Sequence, residues 1–219
     1  MIDTQYNSEP QVIKASSVLV DILQTVITAL AITVVIYLFI ATPHQVEGES
    51  MEPNFYNGEL LLTNKVIQWL GGTPIGKILN YDYQRGDVII FQHTDNIDFI
   101  KRIIAGPGDT IKIEYNKVIV NNKVLNEHYI PNTPQFKTML PSEEASFLQE
   151  GVEISVPEGK YFVMGDNRQN SQDSRYKTVQ FVDRADIKGK VFFRYWPPGR
   201  PGLIQTGTYD ENEYSSNKF

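Results

Sequence analysis

The sequence predicts a mostly β domain carried behind one membrane-spanning helix. Three observations predict it. Residues 22–41 contain no charged side chain and match the length of a helix that crosses a ~30 Å hydrocarbon core. Behind them, short apolar segments recur with period-two alternation, as in Ile111-Lys112-Ile113. Gly, Pro and Asn punctuate those segments, and Asn121-Asn122 has the form of a two-residue hairpin turn.

The elements follow in order. Residues 1–17 form a short N-terminal tail and 18–41 the anchor. Thr25, Thr28 and Thr33 are tolerated in the span because a helical hydroxyl can bond back to the backbone. A cleaved secretory signal is the competing reading. Its apolar region would be shorter and followed by a small-residue cleavage site, whereas here Pro43 follows and the leader is not basic. Lys14 is the only basic residue before the span, and Glu47, Glu49 and Glu52 come after it before any lysine. That bias puts the N-terminus on the cytoplasmic side and the following domain outside.

Residues 42–200 are expected to fold as one β-rich domain. Strands are expected over 60–63, 87–91, 99–105, 111–113, 117–120, 124–125, 161–164 and 191–193. Two inserted loops interrupt them. Residues 65–80 carry a short helix around Val66-Ile67-Gln68-Trp69-Leu70, closed by Gly71-Gly72. Residues 131–151 are polar, with a helix over 142–149. The tail, 201–219, is polar and expected to be disordered from Tyr209 onward.

Composition excludes several chemistries. The chain has no cysteine, hence no disulfide, thiolate metal site or cysteine nucleophile. Its net charge of −6 gives nucleic acid no electrostatic hold. There is no Gly-rich phosphate loop and no His-rich cluster, and no metal or organic cofactor is implied.

Ser50 lies nine residues beyond Ala41, which places it at a membrane surface. A serine hydroxyl needs a base to attack a carbonyl. The three histidines do not supply an obvious one. His93 sits in an apparent turn and His128 in a polar segment. The residues around Ser50 are not a Gly-x-Ser-x-Gly elbow, since position 52 is Glu. Lysine is the other candidate, because burial lowers an amine's pKa by disfavouring its charged form. Lys101 sits among Phe99, Ile100, Ile103 and Ile104. Alternation gives it the face of Phe99 and Ile103, and gives Arg102 the face of Ile100 and Ile104. Either one of the two cations faces inward, or both lie at an edge with their stems over apolar surface. Patterning alone does not choose.

Four segments carry a resemblance. They are Ser50-Met51-Glu52-Pro53 just after the span, Arg85-Gly86-Asp87-Val88-Ile89-Ile90-Phe91, Ile100-Lys101-Arg102-Ile103-Ile104-Ala105-Gly106-Pro107-Gly108-Asp109, and 165–175 with Gly165-Asp166-Asn167-Arg168, Ser171, Asp173-Ser174-Arg175. In order and content they resemble bacterial type I signal peptidase, a Ser/Lys-dyad serine protease family, from Val46 to about Pro197. The resemblance implies a signal-peptidase-like β fold with Ser50 as nucleophile and Lys101 as general base. It implies that Ser171 orients the lysine amine, that Asp166 pairs Arg102, and that Asp173 pairs Arg175. Removing one partner of such a buried pair should cost ~3–5 kcal/mol. Gly48 stands where some members carry a serine that donates to the oxyanion, so the Ser50 backbone N–H becomes the main donor, with a second unnamed.

The same resemblance implies cleavage of exported preproteins after small residues in an Ala-x-Ala pattern. Val46, Met51, Phe99 and Ile100 are the apolar candidates for shallow pockets, with ordinary core packing the other reading. Gln45 and Glu47 could pair their backbone with an extended substrate. The implied partners are signal peptides, the lipid bilayer and the protein export channel, at a cell membrane. A self-cleaving Ser/Lys protease lacks support, because the chain has a span and no DNA-binding module. A catalytically silent scaffold is opposed by Ser50, Lys101 and Ser171 occurring together.

Overall fold

A computed structural model describes residues 15–79, 81–94 and 97–213. The chain divides after Phe39 into two compact units. The first contains α1 (Ala15–Val35). With the π-helical turn Ile36–Ile40 it makes an unbroken apolar helix, Val18–Ile40, of 23 residues and mean hydropathy 2.3. The hydroxyls of Thr25, Thr28 and Thr33 each donate to the carbonyl four residues back. This lets three polar side chains sit in an apolar span without an unsatisfied donor.

The second unit is built from strands. In chain order they are β1 (Ala41–Gln45), β2 (Leu60–Asn64), β3 (Val88–Thr94), β4 (Ile97–Ala105), β5 (Thr110–Glu114), β6 (Lys117–Val120), β7 (Lys123–Glu127), β8 (Ile154–Ser155), β9 (Lys160–Met164), β10 (Val182–Asp183), β11 (Ile187–Trp196), β12 (Gly202–Leu203) and β13 (Tyr209–Glu213). Two short helices, α2 (Val66–Leu70) and α3 (Pro74–Ile78), interrupt them. An eight-stranded sheet runs β1-β2-β11-β3-β4-β9-β10, with β12 on β11. A five-stranded sheet runs β13-β7-β6-β5-β8. The mostly β fold class expected from the sequence holds.

The two sheets meet over β4, which explains its unbroken apolar run. Ile104 and Ala105 pack with Ile111, Ile113, Val118, Val120 and Leu125 of the smaller sheet. Ile103 packs instead with Ile89, Phe91 and Val163. Ile100 joins Val46, Met51, Phe55, Leu61 and Val88 under β1 and β2. A strand covered on both faces reads as continuously hydrophobic rather than alternating. At the β6–β7 hairpin, Asn121 and Asn122 both take positive φ, 49° and 61°, which a tight two-residue turn requires.

Several expectations change. His93 lies within β3, stacked on Phe99, and not in a turn. Residues 142–149 are not helical; Ser146 bridges Tyr176 and Leu148 is buried in the core. Consecutive Phe147 and Leu148 both contact that core, which holds the backbone to the loop before Tyr176 instead of coiling it. The helix in 65–80 is present as α2 and is followed by α3; Asn80 lies outside the described residues. The 201–219 segment is not a loose tail over its described length. Tyr209–Glu213 adds to β7, the Gly207 N–H donates to the Gly86 carbonyl, and the Tyr209 hydroxyl donates to the Ile103 carbonyl. The expected disorder beyond Glu213 falls outside the described residues.

Candidate active site

Ser50 sits in a tight turn between β1 and β2. Gly48 enters that turn at φ 84°, a conformation that costs glycine nothing. Met51 and Phe55 anchor it in the core. The Asn167 N–H donates to the Ser50 carbonyl at 3.0 Å, and its side-chain amide donates to the Glu49 carbonyl at 3.1 Å. The serine is thus clamped by the 165–175 loop, which follows β9.

Lys101 reaches Ser50 from β4. Its Nζ donates to Ser50 Oγ at 2.8 Å and to its neighbour's carbonyl, Ile100 O, at 2.9 Å. The amine also lies over the Phe99 ring. Both cations of the Lys101-Arg102 pair are buried, each at 3% exposure. Neither alternative left open by patterning describes this. Because β4 is covered on both faces, Lys101 is enclosed against Ser50 and Arg102 is enclosed on the opposite side. Burial lowers the Lys101 amine from 10.5 to about 8. Asp173 and Asp166 oppose that fall and Arg175 adds to it.

Arg102 and Asp166 make a two-pronged pair, Nε to Oδ1 at 2.8 Å and Nη2 to Oδ2 at 2.7 Å. Asn54 donates to the same carboxylate at 2.8 Å, and the remaining Arg102 prong donates to the Gly86 carbonyl. Tyr129 stacks under the guanidinium at 4.0 Å. Asp173 takes Arg175 through both oxygens and the Gly165 N–H besides. Burial pushes that carboxyl up, but the guanidinium and the N–H outweigh it and hold it below its usual range.

Ser171 does not take the expected position in a bond to the amine. Its Oγ is buried and makes no bond to the amine; its hydroxyl instead helps hold the Asp173 carboxyl down, while the second Lys101 bond goes to Ile100 O. Its surroundings are nonetheless narrow. A Cβ on Gly165 would lie 2.2 Å from Ser171 Oγ and 2.4 Å from the Ser50 carbonyl oxygen. The glycine is therefore required for space, at the point where two supports of the site meet. Gly165→Ala should lower kcat by roughly 100-fold, the scale of a ~1 Å misplacement, with a smaller change in KM. Steady-state kinetics beside a thermal melt would check this, since an unaltered kcat in a folded variant would deny the crowding.

Backbone donors at Ser50 also sort out. The Gly48 N–H is taken by Asn57 Oδ1 at 3.0 Å, so the Gly48 region does not offer that N–H to an oxyanion. No acceptor among the described residues takes the Ser50 N–H, which leaves it free for one.

A groove of about 550 Å³ opens beside the pair. It is lined by His44, Gln45 and Glu47 at β1, by 97–101 of β4, and by Ile90, Gln172 and Lys188. Phe99, Ile100, Gln45 and Glu47, expected at the substrate, line this groove. Val46 and Met51 do not line it; both are buried in the core below. Core packing won there because Val46, just past β1, is tied to Gly58 and Glu59 by its backbone and packs with Met51, Phe55 and Leu61. His44 shares the groove, yet its Nε2 has no partner and it is Lys101 that contacts the serine.

Sequence reasoning missed Asn54 and the buried pair of Arg168 with Glu127. Arg168 also holds Thr138 and the Gly165 carbonyl, tying β7 to the 165–175 loop. No local signal marks such a pair across 41 residues of separation.

A membrane-anchored β domain that sets a buried lysine amine against a serine hydroxyl, beside a strand-lined groove, has the design of a Ser/Lys serine peptidase. Comparison with known proteins narrows the class. The family described as signal peptidase, peptidase S26, matches residues 19–196, and the chain belongs to it. It is 32% identical over 188 residues to signal peptidase I P of Bacillus subtilis subsp. natto, covering 85% of this chain and 94% of that one. It is 33% identical to a probable signal peptidase I-2 of Synechocystis, covering 83% and 75%. A crystal structure of a signal peptidase I from Enterococcus faecalis V583 is 30% identical, with a TM-score of 0.38 over 50% of this chain and 96% of that one.

Proposed function

We propose that Ser50 is the nucleophile and Lys101 the general base with which this signal peptidase removes signal peptides from exported preproteins. The observation that carries the assignment is the 2.8 Å contact between a lysine amine with a pKa of about 8 and a serine hydroxyl at an open groove. In the neutral form the amine takes the Ser50 proton as Oγ attacks the scissile carbonyl. It then gives that proton to the leaving amine, and the acyl group on Ser50 is released by water activated by the same base. The neutral amine has two N–H groups to place while its lone pair faces Ser50. Ile100 O accepts one, and the Ser171 Oγ, which keeps lone pairs to offer, is the acceptor for the other, which gives Ser171 its orienting role. The free Ser50 N–H faces the oxyanion.

The substrate lies extended in the groove. Val46 N–H donates to Glu59 O, and Val46 O accepts from Gly58 N–H, so Val46 spends its backbone on the β2 side. Alternation turns the backbone groups of Gln45 and Glu47 to the open edge of β1. Along β4, pairing with β9 begins only at Arg102, so the stretch before it has an open edge too. A substrate strand can pair there, with Phe99, Ile100 and Ile90 forming a shallow apolar floor that favours small side chains near the cut. The N-terminus is cytoplasmic and the domain external in this reading, consistent with Lys14 before the span. Signal peptides, the bilayer and the export channel that delivers substrate are its partners.

The pH profile tests the base. Cleavage of an exported precursor by the purified full chain should rise with pH, tenfold per unit on the acid side, and level off above about 8. The sign follows from the amine: protonated, it cannot accept the Ser50 proton. A profile flat between about pH 6 and 10 would sink the assignment.

A further inference from the structure

We infer that the α2–α3 insertion lies in the lipid interface as a second membrane contact, alongside the spanning helix. It starts where the span ends. The Lys65 N–H, just before α2, donates to the carbonyl of Ile40, the last residue of the apolar span, at 2.9 Å. The pairing of Ala41 with Asn64 fixes that junction.

The insertion is firmly attached on its inner side. Ile67 is buried, Arg184 donates to the Ile67 carbonyl, and the same guanidinium pairs with Asp82. A Cβ on Gly76 would lie 2.1 Å from the Leu70 carbonyl, so α3 folds back tightly on α2. The outer side is apolar. Trp69 is 57% exposed, Ile75 60%, Ile78 83% and Leu79 63%. Four large apolar side chains within eleven residues exceed the scattered exposure normal for a surface. Charge points the same way. The chain carries a net −6, yet 65–80 contains no acidic residue and two lysines, Lys65 and Lys77. An exposed apolar face with a tryptophan, in a segment without acidic residues, fits the boundary of an anionic bilayer.

The other exposed tryptophan, Trp196, does not share this placement. Trp196 pairs in register with Leu60, at the opposite end of β2 from Asn64, roughly 13 Å away along the strand.

The chain has two tryptophans, so Trp196→Phe leaves Trp69 as sole reporter. The full chain would be reconstituted in phosphatidylcholine–phosphatidylglycerol vesicles with brominated acyl chains. Trp69 emission should be blue-shifted and quenched at least twofold relative to unbrominated vesicles. Adding Ile75→Ser, Ile78→Ser and Leu79→Ser should reverse both effects while leaving cleavage of a soluble peptide in detergent at the parent rate. Emission at the wavelength of water-exposed tryptophan, quenched by aqueous iodide and indifferent to bromine, would overturn the inference, as would quenching unchanged by the three serines. The optical readout needs no active enzyme, so failure of the Ser50–Lys101 assignment would leave it intact.

Discussion

Lys101→Met should reduce preprotein cleavage to about 10⁻⁴ of the parent rate or lower, on the scale of losing one member of a serine-protease catalytic unit. The buried amine is the group placed to take the Ser50 proton, at 2.8 Å from Oγ. Methionine keeps the length of the stem and removes the titrating group. It also removes a buried polar group from a site walled by Phe99 and Ile100, so the fold should be kept or strengthened. Ser50→Ala should be equally inactive, and the double variant no worse than either, because the two act as a unit. Rates beside thermal melts decide it. A folded Lys101→Met enzyme that still cuts at the same bond would mean that another group, such as His44 in the same groove, serves as base.

Much of this site could be read from the chain because its parts are local. The Ser50 turn follows a span that composition alone reveals, and β4 is a single apolar run around Lys101. The β6–β7 hairpin is legible for the same reason, since Asn121-Asn122 supplies its own left-handed conformation. What stayed hidden depends on partners distant in sequence. Arg102 and Lys101 are both enclosed only because the Ser50 turn, the 165–175 loop and Tyr129, all distant in sequence, close on β4, and alternation within β4 cannot say so. The segment Tyr209–Glu213 is polar and has no strand signature. It becomes a strand because the edge of β7 offers backbone partners and because Tyr209 rests edge-on against Tyr129. Arg168 and Asn54 look like solvated loop residues until the fold sets Arg168 against Glu127 of β7 and Asn54 against Asp166. For Val46 and Met51 groove and core were both open readings, and they lie in the core. Apolar character does not distinguish the lining of a shallow groove from the core one layer beneath.

Asp166→Asn should be the most damaging change outside the dyad, with two separable consequences. The carboxylate has no exposure and accepts from both prongs of Arg102 and from Asn54. An amide in its place must turn its nitrogen toward one of these donors and leaves the guanidinium unneutralised in the interior. The loss should be ~3–5 kcal/mol, lowering Tm by roughly 10 °C for a domain of this size. The second consequence falls on catalysis. Asp166 is one of the charges that hold the Lys101 amine up against desolvation. Without it, and with Arg102 uncompensated beside it, the ammonium form is disfavoured further, so the folded-state pKa drops below about 8. Cleavage by the folded fraction should accordingly reach its plateau at lower pH than in the parent. A merely structural role would lower Tm and kcat but leave the midpoint in place. A midpoint displaced to higher pH would mean that Asp166 does not act on Lys101 through its charge.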